Sequence, residues 1–418
     1  MKKDKLLILL TFMYIFAFRI YSVIDSAVIV GFILTVFIIV NKEYRNYIIK
    51  TIKNRNVFRL VICMIVLTIW SIIVLIINQS LDYTYIKTLI HLYITIAIGY
   101  ELIGYFKYKN RKTELVNYII ISFIIQSILQ WVFFIFPDFS KLFNIFRTES
   151  MIFNNIKYSG YRGIAIASSG FFALSSAYGL AAILYITKYN TLFQNKALKI
   201  LMFLLMYSGT FFAGRTGFVA LPFVLFIVIF KLIKRRKEII SKLNKKNILI
   251  IISFMLAVCL TMSIIYAITS KNEKFSKMYS YAFELVNNIF SGKGVTTSST
   301  DKLIKMYDRN FSIKTLIVGD GKYTVENEGI KAYYMNTDVG YYRKVFYFGI
   351  IGTILSFILQ MVLLNKNDIE KIAIFIFLML LEFKGEVIGI NIMINSIIVL
   401  YSNLSEITKE RDEKWRIW

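Results

Sequence analysis

Four arginines stand where a fixed positive charge needs a reason. Arg147 and Arg162 lie in a loop that also holds Asn154, Asn155, Tyr158 and Tyr161. Arg215 sits in Ser208-Gly209-Thr210-Phe211-Phe212-Ala213-Gly214-Arg215-Thr216-Gly217, and Arg343 follows Asn336-Thr337-Asp338-Val339-Gly340-Tyr341-Tyr342. A guanidinium grips phosphate oxygens with a two-pronged fork, and the neighbouring tyrosine rings, Tyr341 among them, offer faces on which sugars stack. These residue types suit recognition of a diphosphate-linked sugar. Such a group leaves readily, so the chemistry needs only fixed positive charge for the departing oxygens and one acceptor for a hydroxyl proton. Neither demands a metal. Asp338, the one carboxylate at the mouth of a helix beside Arg343, is the natural candidate base. The alternative is that Asp338 caps that helix while Arg343 snorkels, and the residues alone leave both open.

Other ionisable residues carry weaker signals. Glu382-Phe383-Lys384-Gly385-Glu386 reads as a second short hairpin whose carboxylates can pair with basic residues around a cavity, with Lys384 interfacial. Arg19 and Asp25 form a third polar place near the end of the first helix, and Glu101 reads as interfacial. His91 is the only histidine, on an apolar helix, where a hydrogen-bonded packing role outweighs catalysis. Cys63 and Cys259 both lie inside apolar runs and read as small buried hydrophobes, with no metal-binding spacing. No cofactor is expected.

The elements that must position these residues follow from composition. Across 418 residues, 57% are apolar and only two are prolines, more apolar surface than one soluble core hides. A net charge of +25 suggests nucleic acid in a soluble protein, but cytoplasmic loops of membrane proteins also collect Lys and Arg. With ~20 residues needed to cross ~30 Å of hydrocarbon, apolar runs fall near 5–24, 26–41, 58–78, 85–106, 115–136, 164–187, 198–214, 216–233, 247–269, 341–364, 370–383 and 388–402. About twelve transmembrane helices are therefore expected, in one all-α polytopic membrane domain over 1–418. Helices are required because a lone strand cannot satisfy its backbone in lipid. The first run is long enough to remain as a signal anchor.

With the N-terminus inside, every second connection is the basic one: Lys2, Lys3 and Lys5; residues 42–59; 107–112; 188–199; 231–246; 366–371; and the C-terminal tail. Both termini are then cytoplasmic and the charge excess marks topology, with no nucleic-acid partner. Two connections on the opposite side are too long to be turns, 137–163 and 270–340, and loops of that size usually carry function. The second, rich in tyrosine and phenylalanine, reads as partly helical and folded over the membrane, with Gly292–Thr300 its most mobile part. The runs on either side of Arg215, at 1.5 Å per residue, barely reach across ~30 Å, which places the hairpin tip at or below the surface. Small residues in 164–177 imply tight packing or room for a ligand such as a lipid tail.

The Gly214-Arg215-Thr216-Gly217 hairpin, the large loop, Gly319-Asp320-Gly321, Asp338-Val339-Gly340-Tyr341 and then Gly349-Ile350-Ile351-Gly352 resemble the O-antigen polymerase (Wzy) family and its relative, the O-antigen ligase family. The similarity in layout covers roughly residues 60–400. It implies a GT-C-like glycosyltransferase of the bacterial inner membrane that joins undecaprenyl-pyrophosphate-linked oligosaccharide repeat units on the periplasmic face, with a chain-length regulator as a further partner. Carried over by position, Arg215 and Arg162 would hold the pyrophosphate, with Arg147, Arg343 and Tyr341 around the substrate. Asp338 would stand where the ligases show a histidine, which favours polymerase over ligase. A lipid-linked oligosaccharide flippase or other transporter is the rival class; it predicts repeated halves and midplane charges, and neither is visible.

Overall fold

The computed structural model describes residues 4–111, 114–188, 195–234, 273–294, 296–327, 330–365 and 369–402. The expected helix at 247–269, most of the basic connection 231–246 and the C-terminal tail lie outside the described residues. The rest is dominated by helices. In order they are α1 (Lys5–Phe16), α2 (Ser26–Val40), α3 (Lys42–Ile52), α4 (Arg55–Ile77), α5 (Thr84–Tyr108), α6 (Leu115–Ile135), α7 (Pro137–Lys141), α8 (Glu149–Lys157), α9 (Phe171–Lys188), α10 (Lys196–Ala213) and α11 (Ala220–Lys234). The large loop supplies α12 (Glu273–Ala282), α13 (Glu284–Phe290), α14 (Ser298–Tyr307) and α15 (Ile313–Ile317). Last come α16 (Gly340–Leu364), α17 (Ile369–Glu382) and α18 (Ile392–Ser402).

Among the described residues, four helices are long and apolar enough to cross a membrane: α4, α5, α6 and α16. The count is five if α2 and α3, bent by 114° at Asn41, are taken as one span. This agrees with an all-α membrane protein without reaching twelve crossings. Part of the shortfall has a physical cause: α1 has 12 residues, which at 1.5 Å per residue fall well short of ~30 Å. The first apolar run is cut because Ala17 turns left-handed and a two-strand ribbon follows, β1 (Arg19–Ile20) against β2 (Ile24–Asp25) with Arg19 opposite Asp25. Asp25 holds both Arg19 Nε at 2.8 Å and His91 Nε2 at 3.0 Å, which gives the lone histidine a packing partner.

The core is centred on α18, buried from Met393 to Ser402, and on α9, buried from Leu180 to Tyr185. Helices α1, α5, α6 and α16 pack against α18, and α10, α11 and α17 against α9. On the periphery the exposed rings and branches of Phe32, Ile39, Phe58 and Ile76 form the apolar exterior that lipid requires. Residues 270–340, expected to be partly helical, supply α12–α15 and an antiparallel hairpin, β3 (Thr324–Asn327) with β4 (Ile330–Tyr333).

Helix α16 is broken at Phe348–Gly349, where Gly349 takes φ +68° and ψ −172°, a conformation open to glycine alone. A broken helix must find other partners for its freed carbonyls. Here the amides of Asp320 and Gly321 reach Phe346 O and Tyr347 O at 2.7 and 3.0 Å, and Trp70 Nε1 reaches Phe348 O at 2.9 Å. The Gly319-Asp320-Gly321 turn thus plugs the break. A Cβ on Gly349 would collide with Ile317 O, so α15 also presses against it.

Candidate functional site

The Arg215 hairpin is short because glycines let it be. Gly214 takes φ +152°, and a Cβ at Gly217 would meet Ser175 O at 2.6 Å. Ser175 Oγ donates to Gly214 O and receives the Gly217 amide at 2.7 Å, while Tyr207 OH donates to Gly217 O at 2.8 Å. This double tie to α9 and α10 fixes the backbone beneath Arg215. The backbone following Arg162 is held from α6: Gln130 Nε2 donates to Gly163 O at 2.8 Å and Gln126 Nε2 to Ile164 O at 2.7 Å. One turn apart on a helix, the two glutamines face the same way. Tyr178 OH donates to Gln130 Oε1 at 2.7 Å and completes the support.

Arg162 and Arg215 are thereby brought together. Both guanidiniums lie on the ring of Tyr281, at 5.2 and 4.6 Å, and Arg162 also covers the Phe171 ring at 3.9 Å. Lys384 joins them from the tip between α17 and α18, its Nζ 2.9 Å from Thr216 Oγ1. Burial, with Arg215 and Arg162 nearby, pushes the Lys384 ammonium down to about 8. Burial also lowers Arg162, despite the ring of Tyr281. The carboxylate that meets this cluster is Glu284, at the start of α13. It pairs with Arg215 Nη1, and its other oxygen accepts the Ser298 amide at 2.7 Å; Arg215 Nη2 reaches Ser299 Oγ at 3.1 Å. Burial opposes the ionisation of Glu284, but the Ser298 amide and Arg215 hold it below the usual carboxylate range. Among the described residues, three cations here meet one carboxylate, an arrangement whose chemistry suits an anion.

The other sequence candidates do different work. Arg147 is buried and spends its donors on its own loop: Nε on Ala165 O at 2.7 Å, Nη1 on Ser140 O and Asn144 Oδ1 at 3.1 and 2.9 Å, and Nη2 on Ser140 Oγ at 3.1 Å. Burial lowers Arg147 to about 10. Arg343 belongs to a buried ion network, 3.5 Å from Glu386, in which Lys344 lies 3.0 Å from Glu382 and 3.1 Å from Glu386. Tyr323 OH donates to Glu386 at 2.7 Å, and Arg343 covers the Tyr333 ring at 3.5 Å, so the β3–β4 hairpin is locked onto α16 and the α17–α18 connection. Glu382 and Glu386 do pair with basic residues, as their hairpin suggested. Tyr341 packs on Phe383, and its hydroxyl donates to Met379 O at 2.9 Å.

Asp338 is exposed at the mouth of α16. Its side chain does not cap the helix, and among the described residues no hydrogen bond or ion pair joins it to the three-cation cluster. Sequence reasoning missed Lys384 and Glu284. The signal for Lys384 was present: it is the cation at the tip of a second short hairpin, as Arg215 is at the first. No protein-family model, curated protein or solved structure matches the chain.

Proposed function

We propose that the chain is a glycosyltransferase that polymerises polyprenyl-pyrophosphate-linked oligosaccharide repeat units, an O-antigen or related surface-polysaccharide polymerase. The reading places it in the bacterial inner membrane, with about twelve crossings, both termini cytoplasmic and the α12–α15 loop periplasmic. The observation that carries it is the convergence of Arg162 and Arg215 on the Tyr281 ring, with Lys384 bonded to Thr216 beside Arg215 and Glu284 as counter-charge. In this reading the cluster binds the pyrophosphate and stabilises the charge that develops on it as the sugar leaves. The buried pair network beside it keeps the loop docked over the site. The hydroxyl proton goes to a carboxylate, Asp338 by sequence position or Glu284 by its contact with Arg215.

Deletion of the gene in its host should leave single repeat units capping the lipid core, whereas loss of a flippase removes them and loss of a ligase leaves no O-antigen on the core. Arg215→Ala should abolish long chains while the protein still inserts at normal levels. A normal chain-length ladder in that variant would sink the proposal. In the same assay, retained polymerisation in Asp338→Asn would assign the proton to Glu284, whose Gln variant should then be inactive.

A further inference from the structure

The apolar helix α2 gives way to α3 through a bend of 114° at Asn41. Asn41 fixes the turn: its side-chain oxygen accepts the Tyr44 amide at 2.9 Å, and its Nδ2 donates to Tyr108 OH at 3.3 Å. A helix that turns so far from an apolar span runs along the bilayer surface instead of through it. Rings mark the same level, with Tyr44, Tyr105 and Tyr108 centred 5.2, 5.7 and 5.7 Å from Phe37. Tyrosines collect where hydrocarbon gives way to water.

Helix α3 has two faces. Tyr44, Ile48 and Thr51, spaced i, i+4, i+7, are buried against the end of α5, where Tyr44 OH donates to Glu101 O at 2.8 Å and Lys107 Nζ donates to Thr51 Oγ1 at 2.9 Å. The opposite face mixes Lys42, Arg45 and Lys53 with Ile49 and Ile52, all of them exposed. Isoleucine is unfavourable in water and a cation in hydrocarbon, and a headgroup boundary suits both. From Lys42 to Arg59 the chain carries six basic residues, the others being Lys50, Arg55 and Arg59, against Glu43 alone. All six are exposed, and among the described residues no ion pair or side-chain hydrogen bond joins them to a partner. Topology needs positive charge somewhere in this connection, but it does not require cations and isoleucines on one face.

We propose that the α2–α3 elbow is a binding surface for anionic phospholipid, with Lys42, Arg45 and Lys53 on the headgroup phosphates and Ile49 and Ile52 against the first carbons of the acyl chains. The inference is independent of the polymerase reading and of which leaflet the elbow meets.

The test uses the full-length protein in nanodiscs of equal parts phosphatidylglycerol and phosphatidylcholine. The photo-crosslinking residue p-benzoylphenylalanine is placed at Ile49 or, for reference, at Ile76, exposed near the other end of α4. Mass spectrometry of the adducts gives the ratio of the two lipids at each place. One basic residue at an anionic surface multiplies binding by about five. The anionic-to-neutral ratio at Ile49 should therefore exceed that at Ile76 by at least about five-fold, and joint Lys42→Gln, Arg45→Gln and Lys53→Gln should remove the excess. The comparison within the otherwise unaltered protein decides by itself should that variant not fold. Equal ratios at Ile49 and Ile76, an excess that survives the three substitutions, or no lipid adduct at Ile49 would overturn the proposal. An excess abolished by soluble glycerol phosphate would assign the surface to a free anion and overturn the lipid assignment.

Discussion

Replacing Lys384 with methionine should make the protein more stable and less active. Keeping an ammonium buried beside Arg215 and Arg162 moves Lys384 from its ordinary 10.5 to about 8. At ~1.4 kcal/mol per pH unit, that difference amounts to about 3 kcal/mol of fold stability spent at neutral pH on holding the charge. Methionine keeps the chain's reach and removes the charge. It also removes the donor to Thr216 Oγ1, worth about 1 kcal/mol, so the net gain is about 2 kcal/mol. The sign follows from proton binding. Between about 8 and 10.5 the unfolded chain holds the Lys384 proton and the native one does not, so wild-type stability rises with pH through that window. The methionine variant lacks that rise, and its advantage should shrink steadily between pH 7 and pH 10. Thermal unfolding of both proteins in the same detergent at the two pH values measures this, and the glycan ladder of the variant strain reports activity. A variant less stable than wild type at pH 7, or an advantage undiminished at pH 10, would refute the charge-cost argument.

Three further outcomes are expected. Lys344→Met leaves Glu382 and Glu386 buried without their shared cation, a loss of about 3–5 kcal/mol that fluorescence-detected size exclusion should register as loss of monodisperse protein. Gly349→Ala adds a Cβ that collides with Ile317 O at a positive φ, which should cost at least about 2 kcal/mol and lower the unfolding temperature. Asp82, in the turn between α4 and α5, accepts the Tyr323 and Thr324 amides at 2.6 and 2.8 Å. Burial opposes its ionisation, but these bonds and those from Thr84 hold it below the usual carboxylate range. Its contribution is therefore present above that range and lost as pH falls through the lowered value. The protection of the Tyr323 and Thr324 amides from hydrogen exchange, taken relative to the intrinsic rate at each pH, should drop as the pH falls through it, and at pH 7 in Asp82→Asn.

What the sequence disclosed depended on whether the signal was local. Apolar runs of helical length are local, so α4, α5, α6 and α16 stand where composition put them, and the large loop is helical in part as its aromatics suggested. The resemblance put Arg162 and Arg215 on one pyrophosphate, but their distance in the chain hides what joins them in the structure, the Tyr281 ring of a third segment. Arg147 and Arg343 show the limit of that reasoning. An arginine in a loop at a helix end has the same sequence appearance whether it faces a ligand or ties down its own backbone. Only the acceptors around it, Ser140, Asn144 and Ala165 for one and Glu386 for the other, distinguish the two. The shortness of α1 was equally hidden, since Arg19 and Asp25 end the run by pairing across a ribbon rather than by any break in apolarity.

The partners of the break in α16 also have an order along the chain. The residues that receive its freed carbonyls, Asp320 and Gly321 in the turn and Trp70 on α4, are all synthesised before Phe346, Tyr347 and Phe348. A ribosome delivers the socket first and the helix second. The turn is therefore already present to receive those carbonyls when α16 emerges, and turn and helix depend on each other in the finished fold. Any exchange of loops between such proteins would have to carry Ile317–Gly321 and Gly349 together.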